Sequence, residues 1–323
     1  MSMLKSREAI LALAILILLA LIASRFPAFV RPANLANVFT DTSPLILLAL
    51  GQMVVILTKC IDLSVAANLA LCGMIAALMD GAGVPLPVIL LCVIALGAAL
   101  GAVNGLLVWL LGIPSIVVTL GTMTIYRGSI FLLTDGAWIN AHQMSAAFKA
   151  FPRTIIAGLP VMAWIAVAVI AVFAVLVNRT PLGRAFYAVG GNPHAAVYTG
   201  ISVGRTQFAA FVIAGALAGL TGYLWVARYA VAYVDIAGGF ELDVVAACVI
   251  GGIAIAGGSG TVAGCVMGAL FLGIIKNALP VVGISPFWQM AISGSAILIA
   301  IAFNARSNRA PGRIILKRAE HRT

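Results

Sequence analysis

Residue types that carry covalent chemistry are sparse in this chain and do not cluster along it. The GxxxxGK[ST] phosphate loop is absent from the sequence, which argues against ATP hydrolysis by this chain through that route. The glycine-dense stretch 257–264 has no lysine and lies between two apolar blocks. His142, His194 and His321 fall in different segments, so neither a metal cluster nor a catalytic triad is predicted. An enzymatic function is therefore disfavoured, and no cofactor is expected on this chain itself.

Three polar side chains, Asp62, Asn104 and Arg127, stand within or at the edge of long apolar stretches. A charge inside a bilayer costs about 2.5 kcal/mol or more unless it faces protein or water. Arg127 is therefore predicted to line a translocation path, to form an internal ion pair or to reach the external headgroups. Asp62 precedes an apolar block and is expected to cap that helix, with a place on the path as the alternative. Asn104 suits a hydrogen bond between helices, with the same alternative.

The segment 178–206 is the longest polar connection predicted on the internal side, and glycine and proline punctuate it. Asn192 followed by Pro193 predicts a short helix over 194–199, with Asn192 as its N-cap and Pro193 at its first position. A compact helix between two membrane helices suits docking to a soluble partner. An ordinary cytoplasmic loop is the alternative interpretation.

The elements that must position these residues are membrane helices. Of the 323 residues, 63% are hydrophobic and only 9% are charged, whereas a soluble domain carries about 25% charged residues. The apolar residues form blocks long enough to cross a hydrocarbon core of about 30 Å, without the alternation of a barrel strand. The ten blocks are 9–24, 43–58, 62–79, 86–111, 113–134, 160–177, 207–226, 243–257, 260–279 and 287–303. The second and eighth are short, so nine or eleven crossings are the alternatives. The predicted fold class is an all-α, polytopic membrane helix bundle that forms one transmembrane domain over 1–323.

The placement of charge predicts how this bundle is oriented. With ten crossings and the N-terminus inside, twelve basic residues fall on the internal side and five on the external side, which is the positive-inside bias. Both termini are thus predicted to be cytoplasmic, in a multi-pass protein of the inner (plasma) membrane. The basic tail 304–323 is expected to lie near anionic lipid headgroups, and nucleic acid is not an expected partner. The predicted external loops are 25–42, 135–159 and 227–242.

Glycine recurs at every fourth position in two of the blocks. These glycines are Gly97, Gly101 and Gly105 in the first half, and Gly260, Gly264 and Gly268 in the second. In a helix this spacing forms a stripe without side chains, which lets a neighbouring backbone approach closely. One stripe in each half also suggests a duplicated architecture, as in many transporters, although ordinary helix packing explains each stripe alone.

Four segments of the chain resemble the permease subunits of bacterial ATP-binding-cassette importers for monosaccharides, the group that includes the ribose permease. They are 57–65 (Leu-Thr-Lys-Cys-Ile-Asp-Leu-Ser-Val), 113–128, 180–201 and 241–261. In the first of these, Lys59 and Cys60 stand where the family usually has two glycines. Tyr-Arg-Gly at 126–128 followed by Gly-Ala-Trp-Ile-Asn at 136–140 is most similar to the rhamnose and autoinducer-2 branch.

The resemblance implies that 178–206 couples the permease to a separate ATPase subunit by seating in a cleft of that subunit. The implied coupling residues are Gly183, Arg184, Tyr187, Gly190, Asn192, Pro193, Ala195, Ala196, Gly200 and Ile201. ATP and Mg would be bound by the ATPase, and further partners would be an external sugar-binding protein and a second permease copy or paralogue.

The implied function is ATP-driven import of a monosaccharide by alternating access. Rhamnose is the first expectation for the substrate, and autoinducer-2 or ribose are the alternatives within the same family. A secondary transporter driven by an ion gradient is a different class. It is disfavoured because the middles of the ten blocks contain no Asp or Glu, which ion coupling commonly uses.

Overall fold

Helices make up most of the chain in the computed structural model, which describes residues 7–284 together with Trp288, Ala291, Gly294 and Ser295. The α-helices are α1 (Arg7–Arg25), α2 (Pro32–Leu57), α3 (Val65–Gly81), α4 (Leu86–Leu111), α5 (Ser115–Thr134), α6 (Ala146–Ala150), α7 (Val161–Arg179), α8 (Pro181–Gly191), α9 (Pro193–Tyr198), α10 (Val203–Tyr229), α11 (Phe240–Ile250) and α12 (Val262–Val281). Four two-residue strands accompany them: β1 (Ile139–Asn140), β2 (Ile155–Ile156), β3 (Leu159–Pro160) and β4 (Val231–Ala232). Both strand pairings, β1 with β4 and β2 with β3, are antiparallel.

Seven of the described helices, α1, α2, α4, α5, α7, α10 and α12, are long and apolar enough to cross a membrane. The predicted class of a polytopic membrane helix bundle is thus confirmed. The predicted blocks 62–79 and 243–257 correspond to shorter helices, α3 and α11. Block 287–303 and the tail 304–323 lie almost wholly outside the described residues. The count of ten crossings and the side on which each terminus lies therefore stay predictions.

The second membrane helix begins earlier than the sequence pattern indicated. The prediction of an external loop over 25–42 is wrong for most of its length, because α2 begins at Pro32. Proline suits the first turn of a helix, where its missing N–H has no partner to lose. Pro44 is accommodated inside α2, and the hydroxyl of the preceding residue, Ser43, donates to the carbonyl of Phe39. From Thr40 to Leu57, nearly every residue of α2 is buried, so this helix forms the centre of the bundle.

Helices α4 and α10 pack backbone against backbone along the first glycine stripe. A Cβ at Gly97 would overlap backbone atoms of Gly215 and Gly219, and one at Gly101 would overlap the carbonyl oxygen of Phe211. Gly105 completes the stripe against the backbone and ring of Phe208, where a Cβ would lie 3.0 Å from each. The missing side chains therefore set the distance between α4 and α10.

The second stripe is only partly helical. Gly264 and Gly268 lie on α12, where both meet the backbone of Gly251 directly after α11 and Gly268 also meets that of Ala247 in α11. The interpretation of Gly260 as a member of this helical stripe is wrong, because α12 begins at Val262 and Gly260 has a φ of +146°. It belongs instead to the loop 251–261. That loop ends α11 after 11 residues, or about 16 Å, roughly half of a hydrocarbon core.

At the C-terminal end of α10, the segments around 139 and 231 are joined. Strand β1 pairs with β4, so that Ile139 lies opposite Ala232. Arg228 forms an ion pair of 2.8 Å with Asp41, which connects α10 to α2. These contacts assemble the loops of this end into one surface.

Candidate coupling junction and polar sites

The segment 178–206 folds as two consecutive short helices, α8 and α9, rather than one. Thr180 caps α8 by accepting from the amide of Gly183 at 3.1 Å, and Asn192 caps α9 by accepting from the amide of Ala195 at 3.1 Å. The predicted cap and first position of the helix near 194–199 agree with the structure, where α9 begins at Pro193. Helix α8 is an additional element, which the glycines at 183 and 190 concealed in the sequence pattern.

The C-terminal turn of α8 lies against two loops that are far apart in sequence. A Cβ on Gly190 would overlap the carbonyl oxygen of Leu57 and the amide nitrogen of Gly258. That amide donates to the same Leu57 carbonyl at 3.0 Å, and the hydroxyl of Tyr187 donates to the carbonyl of Gly260 at 2.8 Å. We call this contact of α8 with 57–59 and 257–260 the coupling junction. It brings together three of the four segments that carry the family resemblance.

Lys59 takes up a backbone conformation that favours glycine. Its φ is +65°, in the left-handed region that costs an ordinary residue about 1–2 kcal/mol. Its side chain lies over Gly257, whose added Cβ would come within 2.6 Å of the Lys59 Cγ. The chain therefore keeps the turn that a glycine would form, although a lysine stands at this position.

The other predicted coupling residues divide between buried and exposed positions. Gly183 packs against the backbone of Leu176 and Val177, so its role is to bring α8 close to α7. Ala196 is buried, and its carbonyl accepts from the amide of Ile201 at 3.0 Å after the turn at Gly200, whose φ is +81°. Arg184, Asn192 and Ala195 are exposed, while Pro193 is half-buried.

Two exposed apolar side chains at the end of α9 were not singled out from the sequence. Tyr198 is 91% exposed and Val197 is 60% exposed. Both lie on α9, whose capping residue Asn192 is exposed as well. The apolar residues of a short polar segment give no periodic signal, so only the folded structure reveals that they point outward.

Asp62 and Asn104 meet in a buried polar cluster. The carboxylate of Asp62 accepts from the amide and the hydroxyl of Ser64, at 2.8 and 2.6 Å, just before α3. The side-chain amide of Asn104 donates to the Ser64 hydroxyl at 2.8 Å, which joins α4 to the start of α3. Gln52 of α2 bonds both backbone groups of Asp62 at 3.1 Å once its amide is oriented to suit them. The cluster thus connects three helices. The prediction that Asp62 caps α3 is wrong, because the N-cap is Ser64 and the Asp62 carboxylate bonds that residue rather than a free amide of the helix.

Arg127 lies far from this cluster, near the other end of the bundle. Its Nη1 donates to the carbonyls of Val234 and Ile236 at 2.7 Å each, and it lies 4.0 Å from the carboxylate of Asp235. The side chain is 18% exposed. Among the alternatives drawn from the sequence, these contacts correspond to the internal ion pair, here with Asp235. The three candidate residues therefore do not form one site.

The chain is a bundle of apolar helices, and the capped short helices α8 and α9 pack at its loops 57–59 and 257–260 through α8. This is the architecture expected of a polytopic membrane permease. A model of the family described as "Branched-chain amino acid transport system / permease component" matches residues 34–301. The chain belongs to this family, which confirms the resemblance to importer permeases, and it is a multi-pass protein of the inner membrane.

Relatives with a printed function are similar over almost the whole chain. The Autoinducer 2 import system permease protein LsrC of Enterobacter sp. (strain 638) is 37% identical over 96% of this chain and 90% of its own length. The proteins of the same name from Salmonella typhi and Escherichia coli O157:H7 are 35% and 34% identical, each over 93% of this chain and over 86% and 87% of their own lengths. No solved structure matches. These relatives are named for autoinducer-2, an alternative in the sequence analysis, and not for rhamnose, which was the first expectation.

Proposed function

We propose that this protein is the membrane-spanning permease subunit of an ATP-driven importer for autoinducer-2. The observation that carries the proposal is similarity over more than nine-tenths of the chain to permeases of autoinducer-2 import systems. The capped helices α8 and α9, with Val197 and Tyr198 exposed, support the proposal that a cytoplasmic ATPase attaches there. This chain breaks no covalent bond in the proposed cycle, since ATP and Mg are bound and used by the ATPase.

The coupling junction supplies a physical route for the motion. Val197 and Tyr198 offer an apolar contact to the ATPase, while Gly190 and Tyr187 bear directly on the loops 57–59 and 257–260. Those loops lead into the N-termini of α3 and α12. A displacement of α8 and α9 by the closing ATPase pair would therefore move both helices together. Because the backbones are closely packed, local rearrangement cannot take up that motion, and it passes to both helices.

The remaining roles follow from this arrangement. An external sugar-binding protein would deliver the substrate to the loops around 139 and 231, and a second permease copy or paralogue would complete the pathway. Asp62 and Asn104 would hold the inner ends of α3 and α4 in register during the transition. The basic tail 304–323 would rest on anionic lipid headgroups.

The substrate is tested by uptake in a strain that lacks this gene and is then complemented with it. We expect labelled autoinducer-2 to be taken up only with the gene and with the companion ATPase. Rhamnose and ribose, tested in the same way, are expected to give no gene-dependent uptake. Uptake of rhamnose instead of autoinducer-2 would overturn the substrate assignment.

Coupling is tested by a matched pair of substitutions at Tyr198. Tyr198→Asp places a charge on the exposed apolar end of α9 and is expected to lower ATPase association and uptake more than tenfold. Tyr198→Phe keeps the apolar ring and is expected to preserve both. Co-purification of the tagged permease with its ATPase measures association. Full association of the Asp variant would show that α9 is not the docking helix.

A further inference from the structure

A small cavity opens beside the half of α5 that is predicted to be external, and the coupling function does not use it. Its volume is about 240 Å³, and Met123, Thr124, Arg127, Asp235, Gly238, Gly239 and Glu241 line it. Pockets for drug-sized ligands measure about 300–1,000 Å³, so this one suits a smaller molecule. Thr124, Arg127, Asp235 and Glu241 supply its polar groups, and the rest of the wall is apolar.

Arg127 has hydrogen-bonding capacity to spare in this cavity. Its Nη1 is occupied by the carbonyls of Val234 and Ile236. Among the residues that the structure describes, no acceptor bonds its Nη2 or Nε. A guanidinium presents a planar fork of donors, so the second edge is available to hydroxyl or carbonyl oxygens. Holding Nη1 on two backbone carbonyls fixes the orientation of that edge.

The charges around the cavity favour a neutral ligand. Arg127 contributes one positive charge, and Asp235 and Glu241 contribute two negative charges, so the lining carries a net charge of −1. The Asp235 side chain is 82% exposed and can accept from hydroxyl groups. A phosphate monoester carries about −1.5 to −2 at neutral pH, and two carboxylates would repel it. Donors and acceptors together match the hydroxyls of an uncharged polyol.

An aromatic pair adjoins the backbone segment 234–236 that Arg127 holds. The pairing of β1 with β4 brings Trp138 over Tyr233, with ring centroids 4.4 Å apart and planes 18° from parallel. Trp138 is 57% exposed, and Tyr233 directly precedes the carbonyl that Arg127 binds. Such rings offer an apolar surface beside polar groups, which the C–H face of a sugar-like molecule can use.

The geometry points to a binding site for a small, uncharged, polyhydroxylated molecule at this cavity, with Arg127 and Asp235 as its hydrogen-bonding pair. The site receives the transported molecule at the external end of the permease, so the inference rests on the proposed function. Arg127 both shapes the site and binds in it, since its Nη1 holds the 234–236 backbone. Thr124, Asp235 and Glu241 set specificity.

The first experiment measures binding to the full chain in lipid nanodiscs by tryptophan fluorescence. Autoinducer-2 and L-rhamnose are the uncharged probes, and glucose 6-phosphate is the anionic probe. We expect a saturable change with at least one uncharged probe, which Trp138→Phe abolishes, and no change with the phosphate ester. Equal binding of the phosphate ester, or no saturable change with any probe, would overturn the site.

The second experiment measures uptake by the complete importer as a function of substrate concentration. Asp235→Asn and Thr124→Val leave the contacts of Arg127 with the backbone in place, and each is expected to raise the half-saturating concentration at least fivefold. The matched control is Asp135→Asn, an exposed acid at the end of α5 that does not line the cavity, and it is expected to change nothing. Unchanged half-saturation in both cavity variants overturns the site alone. Absence of ATP-dependent uptake by the unaltered importer overturns the proposed function instead.

Discussion

Gly190 and Gly191 are neighbours in sequence, yet only the first has no room for a side chain. A Cβ on Gly190 would overlap Leu57 and Gly258, whereas one on Gly191 would have no heavy atom within 4 Å. Gly190→Ala is therefore expected to force the coupling junction apart and to lower ATP-driven uptake more than tenfold. Gly191→Ala is the matched control and is expected to retain uptake. Transport assays on equal amounts of membrane-inserted protein make the comparison, and equal activity of the two variants would contradict a tight junction.

Lys59 allows a second test at the scale of one residue, because its backbone is left-handed. Lys59→Gly relieves that strain and Lys59→Ala retains it, although both remove the same charge. We expect the Gly variant to be more stable than the Ala variant by about 1 kcal/mol. The temperature of unfolding in detergent is the measurement. A more stable Ala variant would mean that φ at this position is not positive in the folded protein.

At the scale of elements, the α4–α10 contact depends on the missing side chains of its glycines. Gly101→Ala would drive a methyl group into the carbonyl of Phe211, and overpacking of this kind costs about 1–3 kcal/mol. Gly121 lies on α5 with open space around it, so Gly121→Ala is expected to be neutral or slightly stabilising, since alanine is the better helix former. Thermal unfolding of the two variants gives the comparison. A Gly101 variant as stable as the Gly121 variant would contradict backbone contact between these helices.

At the scale of the whole molecule, the two ends of the bundle must lie on opposite sides of the membrane. Tyr198 at the coupling end and Ile155 at the other end are both well exposed, at 91% and 71%. A cysteine introduced at Ile155 is expected to react with an impermeant maleimide in intact spheroplasts. A cysteine at Tyr198 is expected to react only after permeabilisation.

Cys92→Ser serves as the background for this labelling, because Cys92 is the exposed native cysteine among the described residues. If the cysteine introduced at Tyr198 reacted with the impermeant maleimide in intact spheroplasts, α9 would lie beyond the reach of any cytoplasmic ATPase.

Much of the fold follows from hydropathy alone, and the exceptions have physical reasons. The block 86–111 coincides with α4, and 113–134 differs from α5 by two residues, because a lipid-exposed helix must be apolar along its whole length. The start of α2 at Pro32 was hidden because its first turns carry polar residues such as Asn34 and Asp41, whose partners lie inside the protein. The short α11 was read as a full crossing because the residues that follow it, 251–257, are as apolar as a helix.

Part of the candidate site could likewise be predicted from local sequence, and part could not. Asn192 and Thr180 each accept a hydrogen bond from an amide three residues later in the chain. Because that interaction is local, the sequence around 192 sufficed to predict the start of α9. The meeting of Gly190 with Leu57 and Gly258 joins segments more than fifty residues apart. No local signal encodes that contact.

The sequence by itself determined that this protein is a multi-pass membrane helix bundle, because the bilayer admits few backbone solutions and their composition is unmistakable. The resemblance of four segments to importer permeases added the permease class. Only the tertiary structure decided which side chains meet. It separated Arg127 from Asp62 and Asn104, because their helices bring them to different ends of the bundle. It also joined 57–59, 190 and 257–260 at one junction, because Gly190, Gly257 and Gly258 lack side chains that would hold these backbones apart.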